Sequence, residues 1–197
     1  MSKSSKGSAF EREICKRLSL WWTYEDRDDV FWRTQASGGR ATIRFRRGKG
    51  THGQFGDIQA VDPIGKPLTD LLSLELKRGY SGTSFADLID TPARCLANQT
   101  WMKFFAQARE EGARSGAKHW ALVSRRNKKE AMIFIPLRLF NLLRNRWPEC
   151  WESRPLPCVM LSFGGGALGV KIEAVGMMLE SFFERVSPDQ IKHLANA

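Results

Sequence analysis

Cysteine is scarce and spaced against metal binding. The four residues, Cys15, Cys95, Cys150 and Cys158, contain no CxxC pair. Only Cys150 and Cys158 are near each other, and no histidine lies within zinc spacing of them, which argues against a structural zinc site. They read as reduced thiols, largely core residues, of a cytosolic protein. An apolar leader is missing as well. MSKSSKGS is polar and has no h-region, so no signal peptide is expected. The longest uncharged run, Pro155 to Val170, carries two prolines and three consecutive glycines. It is not a membrane span. No internal repeat is present. Gly164-Gly165-Gly166 follows an expected strand, yet no Lys-Ser/Thr comes after it, so a nucleotide-binding loop is not supported.

What remains is a chain of 197 residues, enough for one domain with a buried core, or one domain with an appendage. Its formal net charge is +10. Residues 144–197 hold six basic and six acidic side chains, so the whole excess sits in residues 1–143. A polyanionic partner accounts for that asymmetry. The competing reading is a merely soluble basic protein.

Residues 1–7 read as a flexible leader. A helix is expected from about Ala9 to Trp22, with Ser8 as N-cap and Glu11 completing a capping box. At about 100° per residue, Phe10, Ile14, Cys15, Leu18, Trp21 and Trp22 share one arc of roughly 140°. Glu11 falls inside that arc, a lone acid on the buried face. Val30–Gln35 reads as a strand. The next stretch brings Arg40, Arg44, Arg46, Arg47 and Lys49 without an intervening acid. Its flanking glycines predict a mobile loop suited to phosphate contact.

Next comes a hairpin, expected as strands Phe55–Val61 and Leu71–Lys77 joined by DPIGKP. A helix with Thr91-Pro92 at its start and Gly112 at its end follows. Lys118–Ser124 and Glu130–Ile135 read as a strand pair, and Pro136 opens another helix. Cys158–Phe163 and Leu168–Ala174 read as strands. A short helix, Met177–Val186, and a frayed end close the chain. The fold class is α/β, with a central mixed sheet flanked by helices. Residues 1–143 are expected to form the core domain. Residues 144–197 are expected to be a C-terminal extension, packed on the core or at an oligomer interface.

The chemistry concentrates between Gly56 and Gly79. Asp57 lies at the start of the first strand of the hairpin. Glu75-Leu76-Lys77 ends the second, with Glu75 and Lys77 on one face and Leu74 and Leu76 on the other. Acids on neighbouring strands beside an ammonium suit a divalent metal, and a basic surround makes a phosphodiester the natural substrate. Arg78 extends the basic character at once. Alone the triplet is weak, since about one Glu-x-Lys is expected by chance in a chain of this length. The bland alternative is an edge-strand ion pair.

Together these residues resemble the PD-(D/E)xK nuclease superfamily: Gly-Asp, then 17 residues, then Glu-Leu-Lys. KGSAFERE, RTQASGG, GDI and LELK in that order resemble the archaeal-type Holliday junction resolvases more narrowly. The resemblance implies a restriction-endonuclease-like core. It implies Glu11 as the helix carboxylate, Asp57 and Glu75 as principal metal ligands and Lys77 as the catalytic lysine. Mg²⁺ is the implied cofactor, with Mn²⁺ expected to substitute. It also implies Arg12 and Arg33 at the phosphate backbone and Ser37 in a loop near the site. DNA, including four-way junctions, is the implied partner, met by a homodimer in the cytoplasm of a prokaryote or phage-infected host. A restriction-, repair- or packaging-type nuclease, and a non-catalytic DNA-binding protein on the same fold, are the competing functions. His52 and His119 read as solvated and structural histidines. Trp101, Phe104 and Phe105 read as core at helical spacing rather than as base-stacking residues.

Overall fold

A computed structural model of the chain describes residues 3–34, 56–80, 82–84, 86–92, 95, 98–152, 155–164 and 171–197. Ser37, Arg40, Arg44, Arg46, Arg47, Lys49 and His52 lie outside the described residues.

Helix α1, Lys3–Trp22, buries Phe10, Ile14, Cys15, Leu18, Trp21 and Trp22, the arc read from its periodicity. It starts earlier than expected. Ser8 is therefore inside the helix, not its N-cap, and its Oγ accepts from Arg33 Nη1 (3.2 Å). Residues 3–7 are helical rather than a flexible leader. Ser19 ties the helix to the segment around Phe31. Its hydroxyl donates to the Cys15 carbonyl (2.9 Å) and accepts from the Phe31 amide (3.0 Å).

Strand β1, Phe31–Arg33, pairs antiparallel with β2, Ile58–Ala60, as a separate two-stranded sheet. The expected hairpin is thus a correction: β2 does not lead by a turn into its partner. Asp62 accepts from the Ile64 amide and caps a 3₁₀ turn, Pro63–Gly65. Gly65 tucks this turn against β1, where an added Cβ would lie 2.7 Å from Val30 and 2.8 Å from Phe31. Helix α2, Lys66–Leu71, then buries Leu68 and Leu71 before the chain enters β3, Leu72–Arg78.

Beyond β3 come α3, Asp87–Asp90, and α4, Thr100–Ser115. Thr91-Pro92 does not open the long helix. The Thr91 hydroxyl instead accepts from Gln99 Nε2 (2.8 Å). Nor does Gly112 close it. A Cβ there would sit 2.8 Å from Trp120 Cβ, so glycine serves the close crossing of helix over strand. The helix ends at Gly116, whose φ of 79° is the left-handed C-terminal turn. Then come β4, His119–Arg125; β5, Met132–Pro136; α5, Leu137–Arg146; and α6, Glu149–Glu152. The chain ends with β6, Cys158–Gly164; β7, Lys171–Met178; α7, Leu179–Arg185; and α8, Pro188–Asn196. The expected frayed end is instead α8, fastened by a Ser187–Gln190 capping box with Pro188 in its first turn.

The central sheet has the order β3-β4-β5-β7-β6, with β3 and β4 parallel and the other pairs antiparallel. Helices cover both faces. Phe104, Phe105 and Trp101 of α4 meet Leu122, Phe134 and Ile172 on one side, as read from their spacing. Helices α1, α7 and α8 pack with Leu72, Leu74 and Leu76 on the other. The last two strands complete the sheet, and Trp21 Nε1 donates to the Val186 carbonyl (3.1 Å), so residues from Val175 to Leu194 share the core of α1. Cysteines depart from expectation: Cys15 is buried, Cys150 half-buried, and Cys95 and Cys158 exposed, all free. Burial pushes the Cys15 thiol up to about 12, so it stays protonated.

Candidate active site

Gly56 brings the chain against β3. Its φ is 77°, and an added Cβ would lie 3.0 Å from both the Leu74 carbonyl oxygen and Ser73 Oγ. The next residue is stapled twice. The Asp57 amide donates to the Leu74 carbonyl (2.8 Å), and its Oδ2 accepts from the Leu76 amide (2.8 Å). Asp57 thereby sits beside β3 although β2 pairs elsewhere. Two backbone contacts do what the expected hairpin would have done.

Glu75 and Lys77 lie on the α4 face of β3. Glu75 is 2% exposed and Asp57 8%. Lys77 Nζ is paired with Glu75 Oε1 and lies 5.7 Å from the centre of the Phe104 ring. Glu75 Oε2 is buried and has no hydrogen-bond partner among the described residues. Leu74 and Leu76 pack into the opposite core, as the period-2 pattern requires.

Electrostatics reflect the burial. Desolvation pushes both Asp57 and Glu75 well above the ordinary carboxylate range. The Leu76 amide and Lys77 pull Asp57 partly back, and Lys77 does the same for Glu75. Repulsion by Asp57 and Glu111 pushes Glu75 further up, and repulsion by Glu11 and Glu111 does the same for Asp57. Burial disfavours the Lys77 charge, but Glu75 and Asp57 outweigh it and hold the ammonium above its usual value.

Glu11 is half-buried on α1, pairs with Arg33 Nη1 (3.5 Å), and adds to the negative field at Asp57. Its neighbour Glu13 instead gathers cations, accepting from Arg125 Nη2 (2.8 Å) and pairing with Arg78 (3.7 Å). Arg12 is exposed on the same helix. Among the described residues, no group of three or more His, Cys, Asp and Glu side chains is arranged to hold a metal ion.

Glu111 is the residue that the sequence reading missed. From α4 its Oε2 accepts from the Gly56 amide (3.3 Å) and its Oε1 from Gln107 Nε2 (3.0 Å). A helical wheel would have found it. Glu111 stands seven residues after Phe104, on the buried face, the same signal that singled out Glu11.

A five-stranded mixed sheet flanked by helices is consistent with a restriction-endonuclease-like fold. Residues 2–154 match a family described as "Phage putative PDDEXK endonuclease". The chain belongs to that family, and with it to the PD-(D/E)xK nuclease superfamily; DNA is the substrate the family implies. Neither the curated proteins nor the solved structures contain a match. Among the described residues no helix is long and apolar enough to cross a membrane.

Proposed function

We propose that this chain is a Mg²⁺-dependent DNA endonuclease in which Asp57 and Glu75 ligate the metal, Lys77 serves the attacking water and Glu11 adds a third carboxylate. The observation that carries the reading is Glu75 itself. One of its oxygens holds Lys77 and the other is buried without a partner among the described residues. Such an oxygen is costly in a closed core unless something charged faces it. The donors are hard oxygens, so Mg²⁺ fits, and Mn²⁺ is expected to substitute. Bound there, the metal would supply Lewis-acid stabilisation of the charge that develops on the phosphoryl oxygens. Lys77, held by Glu75, orients the water or offsets the same charge. Asp57 is kept in place by the Leu76 amide, and Glu111 fixes the Gly56 turn on which Asp57 depends.

Residues 1–143 hold all of this chemistry, with residues 144–197 as an extension packed on it, whose strands β6 and β7 complete the central sheet. Arg12, Arg33, Arg78 and Ser37, with the basic run Arg40, Arg44, Arg46, Arg47 and Lys49, are assigned to the DNA backbone. Four-way junction DNA is the substrate assigned first, on the resolvase-like motifs. Paired cuts across a junction need two sites, which makes a homodimer part of the reading. The cytoplasm of a prokaryotic or phage-infected cell is its expected place.

The test is cleavage of labelled four-way junction, flap, duplex and single-stranded DNA with Mg²⁺, beside Glu75→Gln. Symmetric cuts confined to the junction, lost in the variant, support the reading. Cleavage of plain duplex or flap points to a restriction- or repair-type nuclease. Binding without cleavage across several divalent metals makes it a DNA-binding protein. Cleavage that survives Glu75→Gln overturns the site.

A further inference from the structure

A cleft of about 350 Å³ lies at the other end of the β3–β4 pair. His119 is in register with Leu72 at the start of β3, whereas Lys77 faces Ser124. Five residues of strand, about 17 Å, separate the two places. The cleft is walled by Arg109 of α4, Lys118 and His119 at the start of β4, Arg138 of α5 and Lys171 of β7. Trp120 lines it too, and Glu173 is the one carboxylate among its lining residues.

Three of these four cations stand without a carboxylate. Arg138 donates from Nε to His119 Nδ1 (3.2 Å) and from Nη2 to the Lys118 carbonyl (2.8 Å), both neutral acceptors. Lys118 Nζ donates to the Leu194 carbonyl (3.1 Å). Arg109 is exposed and in no ion pair among the described residues. Only Lys171 has an acid, Glu173 at 2.8 Å. Every aspartate and glutamate of the chain lies among the described residues, so the carboxylate pairing is complete. Five other arginines, Arg17, Arg27, Arg33, Arg78 and Arg125, end on carboxylates, whereas Arg12, Arg126, Arg144 and Arg146, like Arg109, are in no ion pair among the described residues.

The local field is legible in His119. Burial first, then Arg138 and Lys118, push its imidazole down to about 4. It is neutral at physiological pH, accepts at Nδ1 and keeps a donor at Nε2.

We propose that this cleft is an anion site separate from the nuclease centre, taking a phosphoryl group of a nucleotide, free or within a DNA strand, with Arg109 and Arg138 as its principal ligands. The Arg138 guanidinium is held in place by two bonds to neutral groups, so it loses little freedom on binding and keeps its full charge for the ligand. The volume admits a phosphate and part of its nucleoside, with the half-buried Trp120 as an apolar wall.

Calorimetric titration of the full chain in EDTA tests this, with inorganic pyrophosphate, dAMP and a short single-stranded oligonucleotide as probes. Arg109→Gln with Arg138→Gln should weaken binding about tenfold or more. Arg138 also links α5 to β4, so the exposed Arg109→Gln is made alone as well. It should keep the melting temperature and still weaken binding several-fold. Binding of pyrophosphate or dAMP that the variants weaken identifies a free nucleotide. Binding of the oligonucleotide alone, weakened in the same way, identifies a strand. Absence of binding by all three probes, or binding untouched by both arginine variants, overturns the proposal.

Discussion

At the Lys77 end of β3 and β4, three carboxylates, Asp57, Glu75 and Glu111, gather around one half-buried lysine, with Glu11 adding to the field at Asp57 from α1. At the His119 end, Arg109, Lys118 and Arg138 stand without a carboxylate. One pair of parallel strands thus separates two opposite charge imbalances by about 17 Å, beyond the Debye length of roughly 8 Å in physiological salt. Each imbalance raises the free energy of the folded chain by itself, and each is relieved by a ligand of the opposite sign. The net charge of the protein hides both. Its candidate centre is a negative pocket inside a positive molecule, which is what a site must be to collect metal ions on a surface that collects DNA.

The largest effect should come from the negative end. Glu75→Gln should lower Mg²⁺-dependent cleavage by about a thousandfold, and Lys77→Met by about a hundredfold, in single-turnover assays on labelled DNA. Equal activity in either variant would break the assignment of this end as the reactive one. Next in size is Gly56→Ala. A left-handed φ and a Cβ 3.0 Å from the Leu74 carbonyl should cost about 1–3 kcal/mol in chemical denaturation, and displacement of Asp57 should cut cleavage about tenfold or more.

Third is the pH dependence of metal-free stability. Asp57 and Glu75 are raised in the fold, so the folded state favours their protonated forms. Their contribution is fully present below the ordinary carboxylate range of about 4 and is lost as pH rises through the raised folded values. The melting temperature in EDTA should fall as pH rises above that range, and Mg²⁺ should flatten the fall. A melting temperature that climbs over the same window would show that the two acids are not strained by burial. The smallest effect is expected from Glu111→Gln, which keeps an acceptor for the Gly56 amide but removes one charge. Metal affinity should drop about tenfold or less, read by calorimetry with Mn²⁺.

Much of this was legible along the chain because it is local. The buried arc of α1, the two faces of β3, the β4–β5 pair and α5 derive from spacing and from Pro136. The errors have a common cause. Ser8, Thr91-Pro92 and Gly112 carry end-of-helix chemistry, but each is used elsewhere: Ser8 by Arg33, Thr91 by Gln99, Gly112 by the crossing of Trp120. The Ser187–Gln190 capping box was a local signal left unread. Glu111 was readable by its place on the α4 wheel, yet its closeness to Asp57 was not, since the two stand 54 positions apart in the chain.

By itself the sequence determined the residue types of the centre, their placement on a helix face and a strand face, and the family to which they belong. These rest on periodicity and on short motifs, which neighbouring residues carry. Only the tertiary structure decided how Asp57 reaches Glu75. It does so through two backbone bonds to β3 across a helix rather than a hairpin, because β2 finds its ladder partner in β1. Only the tertiary structure brought Glu111 to that site and left Arg109 and Arg138 without acids at the far end. Pairing of charges is settled by which distant segments the sheet and its helices press together, and no local pattern encodes that.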